Sequence, residues 1–201
     1  MNKNKASGQL KELKKYKGKL RLAAEGWNSE FKTLIATLLS ARTRDEKTIA
    51  VSKELFKKYP NAHSLAKAKL GNIQKIIRPI NFYKTKSKNV VNCAKALAEK
   101  YNGRVPKKFE ELIKLPGVGR KTANVFLAVY GHPKIGVDTH VSQISMKLGW
   151  TKNKNPKKIE NDLEKLFPKS KWRSINYILV GVGRSYRGKK QNELLNKIKK
   201  I

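Results

Sequence analysis

Cysteine occurs once in these 201 residues, at Cys93. A single thiol excludes an intrachain disulfide and any metal cluster held by cysteine thiolates. Histidine is nearly as scarce, limited to His63, His132 and His140, and no cysteine pairs with them to complete a zinc-type ligand set. Acidic residues number 14 against 47 Lys plus Arg, a formal charge of +33. Such self-repulsion strains a compact chain and demands polyanionic company. Nucleic acid is the natural partner, and an anionic membrane surface is the rival. No apolar run approaches the roughly 20 residues of a membrane span. The basic start, Met1–Lys5, is not followed by the apolar segment of an export signal, so a cytoplasmic location is expected. Period-two alternation with turn glycines is absent too, which leaves an all-α reading of about ten helices. No repeat of fixed period is present.

What is present is helical spacing. Apolar residues make up 39% of the chain, enough for a core in one domain or two small ones. Met1 to Ser7 reads as a loose basic arm. Leu10, Leu13, Tyr16, Leu20 and Ala23 then recur at helical intervals. Ser29 reads as a cap before the buried face Phe31, Leu34, Ile35, Leu38 and Leu39. A polar loop, Ser40-Ala41-Arg42-Thr43-Arg44, follows, with Asp45 a plausible cap for a helix through Phe56. Short helices are expected near 64–68 and 73–77, stopped by Pro79. A long helix opens at Phe82 to Lys86 and carries Val90, Val91, Ala94, Leu97 and Tyr101 inward. Gly103 stands where a C-terminal cap belongs. Cys93 borders that face and reads as a small buried thiol. Further on, Asn155-Pro156 is a cap followed by proline at the first helical position. Trp172–Val182 and a basic tail from Gly188 complete the helices.

The densest information lies between Leu115 and His140. Phe109–Ile113 reads as a short amphipathic helix, and Asn124–Tyr130 as the body of a buried one. Pro116-Gly117-Val118-Gly119 is therefore a tight hairpin between two helices, with glycines that permit positive φ and close approach of another backbone. Its N–H groups stand at a helix N-terminus and make a seat for phosphate. A dinucleotide-binding reading fails, because the third glycine position is Thr122 and the preceding segment is helical. An ordinary helix–turn–helix corner is the plain alternative. Lys121 lies in the first turn beside the seat, and that placement suits a lysine that forms a Schiff base. Asp138 in Val137-Asp138-Thr139-His140 reads first as an N-cap. A capping carboxylate that stays ionised can also stabilise positive charge on a sugar or take a proton from an attacking amine. His140 reads as a packing or surface histidine.

Taken together, Leu115-Pro116-Gly117-Val118-Gly119-Arg120-Lys121-Thr122-Ala123 and Val137-Asp138-Thr139-His140 resemble the endonuclease III family of helix–hairpin–helix DNA glycosylases, over about Phe31 to Gly183. The resemblance implies an all-α, two-lobed fold with a DNA-binding cleft, with a helical barrel at 23–132 and a second lobe from 1–22 and 133–201. It implies that Lys121 attacks the sugar C1′ of a damaged nucleotide, that Asp138 assists, and that β-elimination then cuts the strand. Monofunctional relatives carry other residues at the Lys121 position. DNA contacts would come from Leu115, Gly117, Val118, Gly119 and Arg120. Arg42 and Arg44 would supply a loop that fills the gap left by a flipped base, and Tyr83 and Lys86 would join them. Three departures stand out. Arg42 replaces a glutamine of well-known members, Asn81 replaces a usual glycine, and Ser185-Tyr186-Arg187-Gly188-Lys189-Lys190 lacks the cysteines that hold a [4Fe–4S] cluster.

The expected activity is thus removal of oxidised pyrimidines with abasic-site cleavage, by a monomer acting on damaged double-stranded DNA without a cluster, a metal or a membrane. In a prokaryote it would be nucleoid-associated. Excision of another lesion, or DNA binding without catalysis, are the alternatives.

Overall fold

Asn2 starts the first helix, because its side chain accepts the Asn4 N–H at 2.9 Å. Helix α1 (Lys3–Leu13) therefore absorbs most of the stretch expected to be a loose arm. It also stops earlier than the spacing to Ala23 predicts, since a 3₁₀ turn at Lys14–Tyr16 and left-handed Gly18 (φ +67°) break the run. This computed structural model describes residues 2–19 and 21–201; the readings made at Met1 and Leu20 lie outside the described residues. Among the described residues there are twelve α-helices and no strand. The chain divides into two compact units, Arg21–Phe126 on the one hand and Met1–Leu20 with Leu127–Ile201 on the other.

In the unit Arg21–Phe126, helix α2 (Glu30–Leu39) is buried over eight of its ten positions, so polar Thr33 and Thr37 are carried inside with the leucines. Thr37 satisfies its hydroxyl by donating to Thr33 O at 2.6 Å. Helix α3 (Asp45–Lys58) packs on α2, and the aromatic trio Trp27, Phe56 and Phe31 closes that side with one edge-on and one tilted ring pair. Asp45 is the first residue of α3 rather than its cap, which is Arg44. Its carboxylate accepts the Ala23 N–H at 3.0 Å and so anchors the chain entering the unit.

Helix α4 (Ala62–Ala66) starts at a capping box between Asn61 and Ser64, and α5 (Leu70–Ile77) follows it. Both pack on the long α6 (Tyr83–Tyr101), whose buried face holds Val90, Val91, Cys93, Ala94 and Leu97. Asn102 and Gly103 both turn left-handed at its end, and Gly103 N–H returns to Leu97 O at 2.9 Å. A side chain at Gly103 would press on His63. The short α7 (Phe109–Leu112) then leads to α8 (Arg120–Val129).

The other unit has a core built from both ends of the chain. Helices α9 (Thr139–Lys147), α10 (Pro156–Leu166), α11 (Lys169–Ser185) and α12 (Gly188–Lys199) join α1 around Leu10, Leu13, Val141, Ile144, Leu163, Leu179, Leu195 and Ile198. Asn155 caps α10 through Lys157 and Lys158 N–H, ahead of Pro156 as expected. The fully buried Gln9 serves as a polar rivet: Nε2 donates to Ile198 O at 3.2 Å, and Oε1 accepts from Trp150 Nε1 at 2.7 Å. The tail beyond Arg184 is thus a structural wall. Leu195→Ala should lower stability of the full chain by about 2–5 kcal/mol, the usual cost of emptying a buried leucine site. Urea unfolding measures this, and a loss below about 1 kcal/mol would make α12 a loosely docked appendage.

Candidate functional site

The hairpin between α7 and α8 is built by a turn that only its sequence permits. Val118 N–H donates to Leu115 O at 3.0 Å, with Pro116 and left-handed Gly117 (φ +78°) between them. Proline at the second position and glycine at the third is the order a type II turn requires. Leu115 and Val118 bury their side chains and pin the turn to the unit, so only their backbone can meet a ligand. The two glycines differ in purpose. A Cβ on Gly117 would lie 2.7 Å from Asn89 Cβ on α6, so Gly117 serves the fold. A Cβ on Gly119 would meet no atom within 4 Å, and its φ is not positive. Nothing inside the protein needs glycine there, so the bare backbone lies open to an approaching group.

Gly119 leads directly into α8, whose first-turn N–H groups lack intrahelical partners and whose first turn holds no acidic residue. The positive end of the helix is therefore uncompensated from within its own turn and suits an anion. Arg120 lies with its guanidinium 4.8 Å from the Phe109 ring centroid. Lys121 follows, half-buried, on the same turn.

Asp138 stands in the other unit. It is half-buried and caps α9, its Oδ1 accepting the Val141 N–H at 2.9 Å. One carboxylate oxygen is thereby fixed, and the other lies outside the cap bond. The segment is braced from α11: buried Asn176 donates from Nδ2 to Gly136 O at 2.7 Å, and bare Gly183 makes room for His140. His140 is thus a packing residue. Asn176 escaped the sequence reading, because a lone asparagine in an apolar helix carries no signal of its distant carbonyl.

A third group surrounds loop 40–44. Thr43 N–H closes a turn on Ser40 O at 3.0 Å, with exposed Arg42 left-handed inside it (φ +53°). Lys86, expected as a DNA contact, is only 6% exposed. Its ammonium donates to Leu39 O at 2.7 Å, Ala41 O at 2.6 Å and Thr43 Oγ1 at 3.0 Å. It is a support for the loop and not a surface cation. Burial pulls its pKa down to about 8, while three acceptors match the three donors of the charged form. Asn81 donates from Nδ2 to Arg42 O at 2.6 Å. Phe82, left-handed and the most exposed large apolar side chain of the described residues at 57%, lies 5.1 Å from the Arg42 guanidinium. Arg44 is exposed and Tyr83 half-buried beside this group. Phe82 also escaped the sequence reading, as an apolar residue at a helix start looks like core.

The described residues do not fit an iron–sulfur cluster. They contain no group of three or more His, Cys, Asp or Glu that could hold a metal. Cys93 is fully buried in α6, and burial pushes its thiol up to about 12. No described helix is long and apolar enough to cross a membrane.

Comparison with known proteins places these features in context. Residues 35–169 match the family described as HhH-GPD superfamily base excision DNA repair protein. An endonuclease III of Thermotoga maritima is 48% identical over 155 residues, covering 77% of this chain and 73% of the relative. A solved structure of a trapped covalent intermediate between an endonuclease III and DNA superposes with a TM-score of 0.87 at 35% identity, covering 94% of this chain and 90% of that one. A thermostable thymine-DNA glycosylase shares the fold at 20% identity, with a TM-score of 0.84 and coverage of 97% and 95%.

The glycines should separate under mutation. Gly119→Val should weaken duplex DNA binding about tenfold or more with an unchanged melting temperature. Gly117→Val should lower stability by about 1–3 kcal/mol, because a left-handed residue and a clash with Asn89 are both imposed. Equal effects on binding and stability at both positions would remove the anion seat from this hairpin. Cys93 should resist a water-soluble thiol reagent at pH 8 in the native protein and react fully in denaturant, as a deeply buried thiol does.

Proposed function

Because the chain belongs to the endonuclease III family of HhH-GPD base excision DNA repair proteins, we propose that it removes oxidised pyrimidines from duplex DNA through a Schiff base on Lys121, with Asp138 as its assistant. The activity class is that of the family, a DNA N-glycosylase with AP lyase activity. The observation that carries the assignment to Lys121 is its place in the first turn of α8. It comes two residues after a glycine whose open backbone serves no internal need.

The hairpin N–H groups and the start of α8 hold a backbone phosphate, which sets the register of the strand. The Lys121 amine attacks C1′ of the damaged nucleotide as the glycosidic bond breaks, and the electron pair leaves with the base. Asp138, oriented by its cap bond, offsets the positive charge that develops on the sugar and accepts a proton from the attacking amine. The nitrogen lone pair then opens the ring C1′–O4′ bond, O4′ taking the electron pair and the proton returned by Asp138, which gives the protonated imine between Nζ and C1′. Removal of a C2′ proton then expels the 3′ phosphate by β-elimination. Water finally releases Lys121 from the imine.

No cluster takes part in this scheme. The protein works as a monomer on damaged or abasic duplexes, and the charge of +33 supplies the sequence-independent part of the affinity.

Borohydride should trap wild-type protein on a duplex with an oxidised pyrimidine or an abasic site. Lys121→Gln should abolish the adduct with duplex affinity reduced no more than about threefold. Asp138→Asn retains an oxygen for the cap bond and should fold and bind, yet react about 10²-fold or more slowly, within the range of a positioned acid–base group. An adduct that persists in Lys121→Gln would identify another amine. Base release without trapping would identify a monofunctional enzyme, and neither reaction would identify a binding module.

A further inference from the structure

Asn176 is an anomaly in its helix. Helix α11 buries Ile175, Ile178, Leu179, Val180 and Val182, and among them stands one buried amide side chain. Asparagine is a poor helix former, and its amide loses water on burial. Such a residue is tolerated in an apolar face when its hydrogen bond is needed there. What it reaches lies outside α11: Nδ2 donates to Gly136 O at 2.7 Å, 40 residues earlier in the chain.

Gly136 belongs to the segment 132–138, which is neither helix nor strand. Ile135 and Val137 bury their side chains and anchor the segment to the core. Apolar packing is non-directional, however, and does not by itself set the rotation of a peptide plane. The bond from Asn176 sets it two residues before Asp138. Two residues after Asp138, α11 meets the chain again: a Cβ on Gly183 would strike the His140 ring, so the bare glycine seats it. Asn176 and Gly183 lie on one face of α11, two turns and about 10 Å apart along its axis. One helix thus grips the chain on both sides of Asp138, whose Oδ1 accepts the Val141 N–H at 2.9 Å.

We propose that Asn176 is a positioning residue for base excision. Through Gly136 O, and together with the seat of His140 at Gly183, it aims the Asp138 oxygen that lies outside the cap bond. The proposal rests on the reading that Asp138 assists Lys121. The cap bond fixes Oδ1 relative to α9, so the direction of the second oxygen follows the backbone that leads into the helix. Asn176 holds that backbone. A proton acceptor must stand within hydrogen-bond reach of its proton, and a misplacement of about 1 Å can slow a reaction about 10²-fold. Affinity for the duplex draws on the charge of +33, which the brace does not touch. Loss of the brace therefore falls on the chemical step and leaves binding in place.

Single-turnover excision from a duplex with an oxidised pyrimidine, read beside the dissociation constant for a duplex with a tetrahydrofuran abasic analogue, separates the two effects. Asn176→Ala should slow excision about tenfold to 10²-fold and change the dissociation constant less than about twofold. Asn176→Ala combined with Asp138→Asn should be no slower than Asp138→Asn alone, because both act through one carboxylate. Gly183→Ala should slow excision as well. Adding His140→Ala, which removes the ring that the new methyl strikes, should restore most of the rate. That pair decides the matter if Asn176→Ala does not fold: a Gly183→Ala protein of full rate, or one that His140→Ala does not rescue, would then dismiss the proposal. A folded Asn176→Ala protein that excises at the wild-type rate would dismiss it directly. So would losses that multiply with Asp138→Asn, or a rate loss matched by an equal loss of affinity. If Asp138→Asn itself excises at the wild-type rate, the assisting role of Asp138 fails instead, and the premise falls with it.

Discussion

Self-repulsion among 47 lysines and arginines, against only 14 acidic groups, is the constraint under which the rest of this protein is arranged. Ion pairing cannot organise such a surface, because most cations have no anion within the chain to meet. Cohesion has to come from apolar burial, and both units show it: α2 is buried almost all round, and α12 closes a core with α1 through Leu195, Ile198 and the Gln9 rivet. The missing anions are supplied by a nucleic acid backbone, so the charge that weakens the free protein strengthens the complex.

Against this background, the sites rely on geometry more than on added charge. One more lysine would scarcely alter the field, whereas a bare backbone at Gly119 followed by a helix N-terminus is directional and suits an anion. Asp138 and Lys86 are each held by specific bonds. Asp138 has its cap, with Asn176 bracing the segment just before it. Lys86 has three acceptors and so becomes part of the scaffold. Among the described residues, the one lysine or arginine that is buried is thus the one that shapes a loop.

Much of this was legible in the residues. Asn155-Pro156 announced a helix start and made it, and Asp138 capped α9 as its position required. Leu115-Pro116-Gly117 spelled a turn. The readings that shifted did so where local signals competed. Asn2 outbid the basic composition and began α1 early, and Gly18 ended a periodicity that ran on in the sequence. Asp45 looked like a cap yet bonds Ala23, a partner 22 residues earlier in the chain.

The sequence by itself determined the all-helical class, the charged character, the lack of a thiolate set and the hairpin before Lys121. These depend on composition and on neighbours within one or two turns, which the chain order already specifies. Tertiary structure alone decided that Gly117 must be bare to clear Asn89 while Gly119 faces open space. It also decided that Lys86 is buried beneath loop 40–44 while Phe82 is exposed beside Arg42. Those outcomes are set by carbonyls and rings some forty positions away along the chain, and periodicity carries no record of them.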